Sequence, residues 1–252
     1  MTVLVEAIAA VRRSVVAVMC IHWKSAEDAR AADPAHAEFS CSFGTAFCVV
    51  ADRYVVTAHH VLNGGKPRNP DDRFYVFTVP GNDVPAYYYE VIGFPLERPD
   101  RDLAVLEIGP CSMPGIELPA LPVSFVPRPD GTQVVTVGYP SPEIHDIKVD
   151  PQGNYRGGQF FLKSHANEGI VAAQYELEGD WMYELNVGWH HGESGGPVAS
   201  AGASPAVFSV MQHYRNVQSP HGVVAGPHRG FGLSCIEGEL RALGVVVQDA
   251  QA

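Results

Sequence analysis

The chain has 252 residues, with 17 Lys+Arg against 28 Asp+Glu and a formal net charge of −11. That balance argues against a nucleic-acid backbone or an anionic membrane surface as partner, since both call for a basic footprint. Hydrophobic residues at 46% and charged residues at 18% describe a globular chain, and 25 glycines with 20 prolines favour many turns and short elements over long helices.

In chain order, residues 2–13 (TVLVEAIAAVRR) predict a short helix with Val3, Ile8 and Val11 near one face. The apolar run Val15–Ile21 is too short to span a membrane. His22, Trp23 and Lys24 follow it where a signal peptide would carry small residues, so the run reads as a first strand. SVVAVMCIHW, FSCSFGTAFCVV, RYVVTA, RFYVFTVP, AYYYEVIGF and LAVLEI, rich in Val, Phe, Tyr and Thr, all read as strands, with a hairpin loop at Pro80–Pro85. The proline-rich stretch 109–122 suits an extended linker. Beyond it TQVVTVGYP, GQFFLKS, GIVAAQYEL, WMYELN, PAVFSVMQHY and RGFGLSC repeat the strand pattern, and IEGELRALG suggests a closing helix.

This organisation predicts an all-β protein of two packed antiparallel β-barrels, with one large sandwich as the alternative. The expected boundaries are a helix at 1–13, a first barrel at 14–108, the linker, a second barrel at 123–236, and a C-terminal helix and tail at 237–252. Five cysteines with no C-x-x-C pair and an odd count cannot form a complete disulfide framework. Free thiols are easiest to keep in a reducing cytoplasm.

One segment outranks the rest chemically. In Gly192-Glu193-Ser194-Gly195-Gly196-Pro197 a serine stands between glycines, as a sharp turn presenting a hydroxyl requires. Backbone N–H groups of such a turn can face a developing oxyanion. A serine hydroxyl is inert until a base takes its proton. Thr57-Ala58-His59-His60-Val61 puts a histidine at the end of an apolar strand, and Asp102-Leu103-Ala104-Val105-Leu106 puts a carboxylate at the start of another. Asp100 is a rival without the following apolar strand.

T-A-x-H, D-L-A-V-L and G-E-S-G-G-P, in this order, resemble the chymotrypsin-fold, trypsin-like serine proteases. GTAFCVV and VVTVGYP extend the resemblance over roughly residues 12–244. The flavour is that of the bacterial HtrA-type and glutamyl-endopeptidase branch, without a PDZ module. The resemblance implies two six-stranded barrels, a protein or peptide substrate, no cofactor and no metal. It implies His60 as general base, Asp102 as its orienting acid, Ser194 as nucleophile, and the Gly192 and Ser194 N–H groups as oxyanion hole. His60, not His59, fills the family's histidine slot.

Departures from the family pattern carry expectations of their own. Glu193 stands where Asp or Asn is usual. In trypsin-like zymogens that Asp pairs with a newly cut N-terminus, and no I-V-G-G-like start is present, so Glu193 is expected to find an internal partner. Its length, and His59 in a slot that is usually small, leave open a catalytically silent or latent binding module that needs an activating partner. For the substrate pocket the resemblance implies Gly188 at the floor, Trp189 beside it, and walls that include Ser209, His213 and Phe231. With no acid at Gly188, cleavage after Lys or Arg has no support. His190, His191, His213, His221 and His228 match no zinc-ligand spacing.

Overall fold

The computed structural model describes residues 2–23, 39–64, 68–79, 86–140, 142–150, 152–188, 190–219 and 222–249, apart from the side chains of 213–219 and 222–225. The hairpin loop expected at Pro80–Pro85 lies outside these residues.

The first barrel closes in the order β1-β2-β3-β6-β5-β4. Its strands are β1 (Val15–Trp23), β2 (Phe39–Val50), β3 (Tyr54–Thr57), β4 (Arg73–Thr78), β5 (Tyr87–Arg98) and β6 (Leu103–Cys111). All six strands expected of the first half are there. β6 runs on through Cys111, taking three residues of the predicted linker into the barrel. β1 is apolar without alternation because both its faces are covered. Val16, Val18 and Cys20 fill the barrel interior, while Val15, Ala17, Met19, Ile21 and Trp23 belong to a core layer shared with the second half.

The second barrel closes as β10-β11-β14-β13-β12-β7, from β7 (Gln133–Gly138), β10 (His165–Leu177), β11 (Asp180–Asn186), β12 (Pro197–Ser200), β13 (Val207–Ser219) and β14 (Gly222–Gly232). Val134, Val171, Tyr183, Leu185, Val198, Phe208 and Met211 fill its interior. The shared layer adds Val135, Val137, Val207 and Val210 on its side. Two closed barrels replace the single-sandwich alternative. β8 (Glu143–Val149) and β9 (Tyr155–Phe161) form a separate two-stranded hairpin. Tyr155 and Phe160 of β9 stack on Phe77 of the first barrel with ring centroids 5.4 and 5.1 Å away.

Two short helices complete the chain. α1 (Val3–Arg12) lies against β7. Its inward face is Leu4, Ala7, Ile8 and Val11, and Val3, expected on that face, is 52% exposed. The helical repeat explains the correction, because at about 100° per residue Leu4, Ala7, Ile8 and Val11 cluster on one face and Val3 falls roughly 90° from its centre. α2 (Glu237–Leu243) buries Leu240 and ends at Gly244 in the left-handed conformation. Among the described residues no helix is long and apolar enough to cross a membrane. The five cysteines are free.

Candidate active site

The site forms where the two barrels meet. β3 ends at Thr57 and the chain turns into a 3₁₀ turn, His59–Leu62, anchored by buried Val61 and Leu62. β6 lies beside β3 in antiparallel register, with Thr57 opposite Ala104. Extending that register puts His59 opposite Asp102, and the His59 N–H donates to the Asp102 carbonyl at 3.1 Å. Asp102 has left-handed backbone (φ 50°), which Asp tolerates better than most residues. One carboxylate oxygen accepts the His60 N–H at 2.8 Å, and the other lies 2.7 Å from His60 Nδ1. An ionised carboxylate only accepts, so the proton belongs on Nδ1 and Nε2 is the basic nitrogen. Asp100 faces the other way, bound to Arg98 through both oxygens at 3.1 Å.

Ser194 arrives from the second barrel on two linked turns. The Glu193 N–H donates to the His190 carbonyl at 3.1 Å, and the Gly196 N–H to the Glu193 carbonyl at 3.0 Å. The third residue of each turn is a glycine with positive φ, Gly192 at 102° and Gly195 at 86°. That is the conformation a type II turn demands there, and it explains two of the motif's three glycines. Among the described residues, neither the Gly192 N–H nor the Ser194 N–H is bonded within the protein. The Ser194 hydroxyl donates to the Gln212 carbonyl at 2.7 Å. The Gln212 side chain in turn donates to the Arg101 carbonyl at 2.8 Å, next to Asp102.

Thr45 of β2 docks the serine turn onto the first barrel. Its N–H donates to the Ser194 carbonyl at 2.9 Å and its hydroxyl to the Gly192 carbonyl at 2.7 Å. The same hydroxyl accepts the Tyr139 N–H at 2.9 Å. Gly195 sits so close that a Cβ there would fall 2.1 Å from the Thr45 carbonyl and 2.3 Å from Thr57 Oγ1.

A second Ser-His-Asp set shows what these turns add. His22 lies 2.7 Å from Ser42 Oγ and 3.1 Å from Asp72. Ser42 stands in the middle of β2, paired with Cys20 in the ladder with β1. No glycine turn presents its hydroxyl, and the set closes the end of the barrel as a polar cluster.

The residues expected at the substrate pocket differ in burial. Gly188 is on the surface, where a Cβ would stand 3.1 Å from Asn167 Oδ1. Ser209 is fully buried, its hydroxyl against Gly230 inside the second barrel, and Phe231 is buried in the shared core under Arg101. Trp189 and the side chain of His213 lie outside the described residues. His59 does not crowd the serine turn; its ring turns to Glu97, Nε2 to Oε2 at 3.4 Å, and Arg68 also pairs with that carboxylate. Among the described residues, no group of three or more His, Cys, Asp or Glu is placed to hold a metal ion.

A family model described as trypsin-like peptidase domain matches residues 44–203, more than half of the chain. The chain belongs to the trypsin-like peptidase family. A comparison with curated proteins gives no match. Among solved structures, the chain is similar to the HtrA-type protease AlgW with tripeptide, at 15% identity and a TM-score of 0.59. The match covers 95% of this chain and 63% of that one, a likeness of fold.

In this trypsin-like peptidase the Glu193 carboxyl has internal partners. Oε2 accepts the His190 N–H at 2.6 Å and Oε1 accepts from the Asn167 amide at 3.1 Å. Gly138, at the end of β7, makes room for it, since a Cβ there would lie 2.9 Å from Glu193 Cβ. Asn167, Gln212 and Thr45 carry no sequence signal of this role, because each acts on groups remote in the chain.

Burial dominates the electrostatics of Glu193 and pushes its carboxyl above the usual range, with the His190 and Asn167 hydrogen bonds pulling the other way. A raised folded pKa means the fold favours the protonated acid. That contribution is complete below the unfolded value of about 4.3 and is lost as pH rises through the folded value. Glu193→Gln, which cannot ionise, should therefore gain stability relative to wild type as pH rises from 4 to 8. Thermal melts of both proteins across that range check this, and a constant gap would contradict it.

Proposed function

We propose that the chain is a serine endopeptidase acting on protein or peptide substrates. Ser194 Oγ attacks the scissile carbonyl while His60 Nε2 takes its proton, forming the C–O bond of a tetrahedral intermediate. Collapse breaks the C–N bond, and His60 returns the proton to the leaving amine. Water, deprotonated by the same nitrogen, then releases the acyl group from Ser194. Asp102 holds the imidazole and stabilises its charged form, and the Gly192 and Ser194 N–H groups bind the oxyanion. The observation that carries this reading is the doubly bonded Asp102–His60 pair beside a serine turn seated on the same strand end.

The serine hydroxyl rests on the Gln212 carbonyl, so its proton leaves that bond before His60 takes it. That resting bond favours a second reading, a latent protease-like module that needs a partner to release the hydroxyl. The five free thiols support a reducing, cytoplasmic setting. A fluorophosphonate probe followed by peptide mapping tests the function. Labelling at Ser194 by the pure protein is expected. Labelling only after a cell extract is added would favour the latent module, and none under either condition would end the enzyme reading.

A further inference from the structure

We propose that Asn167 is a positioning residue for the oxyanion turn, acting through a neutral latch on the Glu193 carboxylate. This deepens the serine-peptidase reading and rests on it for its catalytic consequence. The turn His190–Glu193 is closed twice, once by its own backbone bond and once by the side chain of Glu193 returning to the His190 N–H at 2.6 Å. That second closure leaves one carboxylate oxygen, which the Asn167 amide takes.

Asn167 is itself fixed in the barrel wall, where β10 pairs it with Thr136 of β7, and Thr136 also pairs with Val198 of β12. The latch thus ties the turn to three strands of the second barrel. Two glycines leave space for it. Gly138 lies against the Glu193 stem, and a side chain at Gly188 would press on Asn167 Oδ1.

Glu193 is 4% exposed, and among the described residues it forms no ion pair with Lys or Arg. A buried carboxylate without a Lys or Arg partner depends on every available donor, and losing one leaves an acceptor unpaired. Removing the Asn167 amide therefore loosens the loop that carries the Gly192 N–H, a donor that the transition state needs more than the bound substrate does. The loss should fall on kcat and leave KM nearly unchanged.

The test is an exchange of roles. Asn167→Ala should lower kcat by about 10–100-fold, less than the ~10²–10³ that a lost oxyanion donor costs. Asn167→Asp sets two carboxylates against each other and should cost more. Adding Glu193→Gln to Asn167→Asp restores the pair, with glutamine accepting from the His190 N–H and donating to the new aspartate, and should return most of kcat. Hydrogen exchange of the 190–195 segment gives a readout independent of turnover. It should quicken in both single Asn167 variants and slow again in the exchanged pair. Wild-type kcat and exchange in Asn167→Ala, or an exchanged pair no better than Asn167→Asp, would overturn the latch. If wild type turns over no substrate while exchange follows this pattern, the latch stands and the peptidase reading fails.

Discussion

Ser194→Ala is expected to lower kcat by about 10⁴–10⁶-fold, with His60→Ala costing a similar amount. The double variant should be scarcely worse than either single one. In the proposed mechanism the hydroxyl and the imidazole act as a unit. Without Nε2 to take its proton the hydroxyl is a poor nucleophile, and without the hydroxyl a base has nothing to activate. What survives is catalysis by the unspent N–H groups of Gly192 and Ser194 together with substrate binding. Single-turnover kinetics on a peptide ester measure this directly. Independent, multiplying losses, or a Ser194→Ala protein that turns over at the wild-type rate, would contradict the assignment.

The second large effect is expected at Gly195. An added Cβ there would stand 2.1 Å from the Thr45 carbonyl, 2.3 Å from Thr57 Oγ1 and 2.9 Å from the Ala58 nitrogen. Backbone atoms in barrel strands cannot step aside as a flexible side chain would. Gly195→Ala must also adopt a φ of 86°. Strain and overpacking, at about 1–3 kcal/mol each, together predict a loss of about 2–6 kcal/mol in urea unfolding. Whatever protein folds should have the serine turn pushed off the end of β3, and a displacement of about 1 Å costs roughly 10²-fold in rate. Gly131→Ala separates the two causes. Its φ is 84°, but nothing lies within 4 Å of its Cβ position, so it should lose only about 1–2 kcal/mol and keep its activity. Equal losses at the two glycines would show that crowding at Gly195 is not the cause.

Much of the fold was legible because the barrel strands are covered on one or both faces, which writes runs such as VVAVMCI into the sequence. β8 left no such trace. It stands outside both barrels with most of its side chains exposed, and only Ile147 and Val149 of EIHDIKV pack against the core, too few to betray a strand. β12 is four residues long and begins directly at the proline of the serine motif. At the site, His60 and Asp102 were legible because each adjoins an apolar strand that fixes where the polar residue stands. Thr45 was not, since its hydroxyl reaches Gly192, 147 residues away. Asn167 was not, since an asparagine in a polar strand looks like any exposed amide.

The docking of the serine turn through Thr45 also bears on the protein's own biogenesis. His60 and Asp102 belong to the barrel made first, and Ser194 to the one completed last. The bonds from Thr45 to Gly192 and Ser194 exist only once both barrels have closed and met. A half-made chain therefore carries His60 and Asp102 without the serine turn that meets them. The site is thus a product of the finished fold, and neither barrel holds it alone.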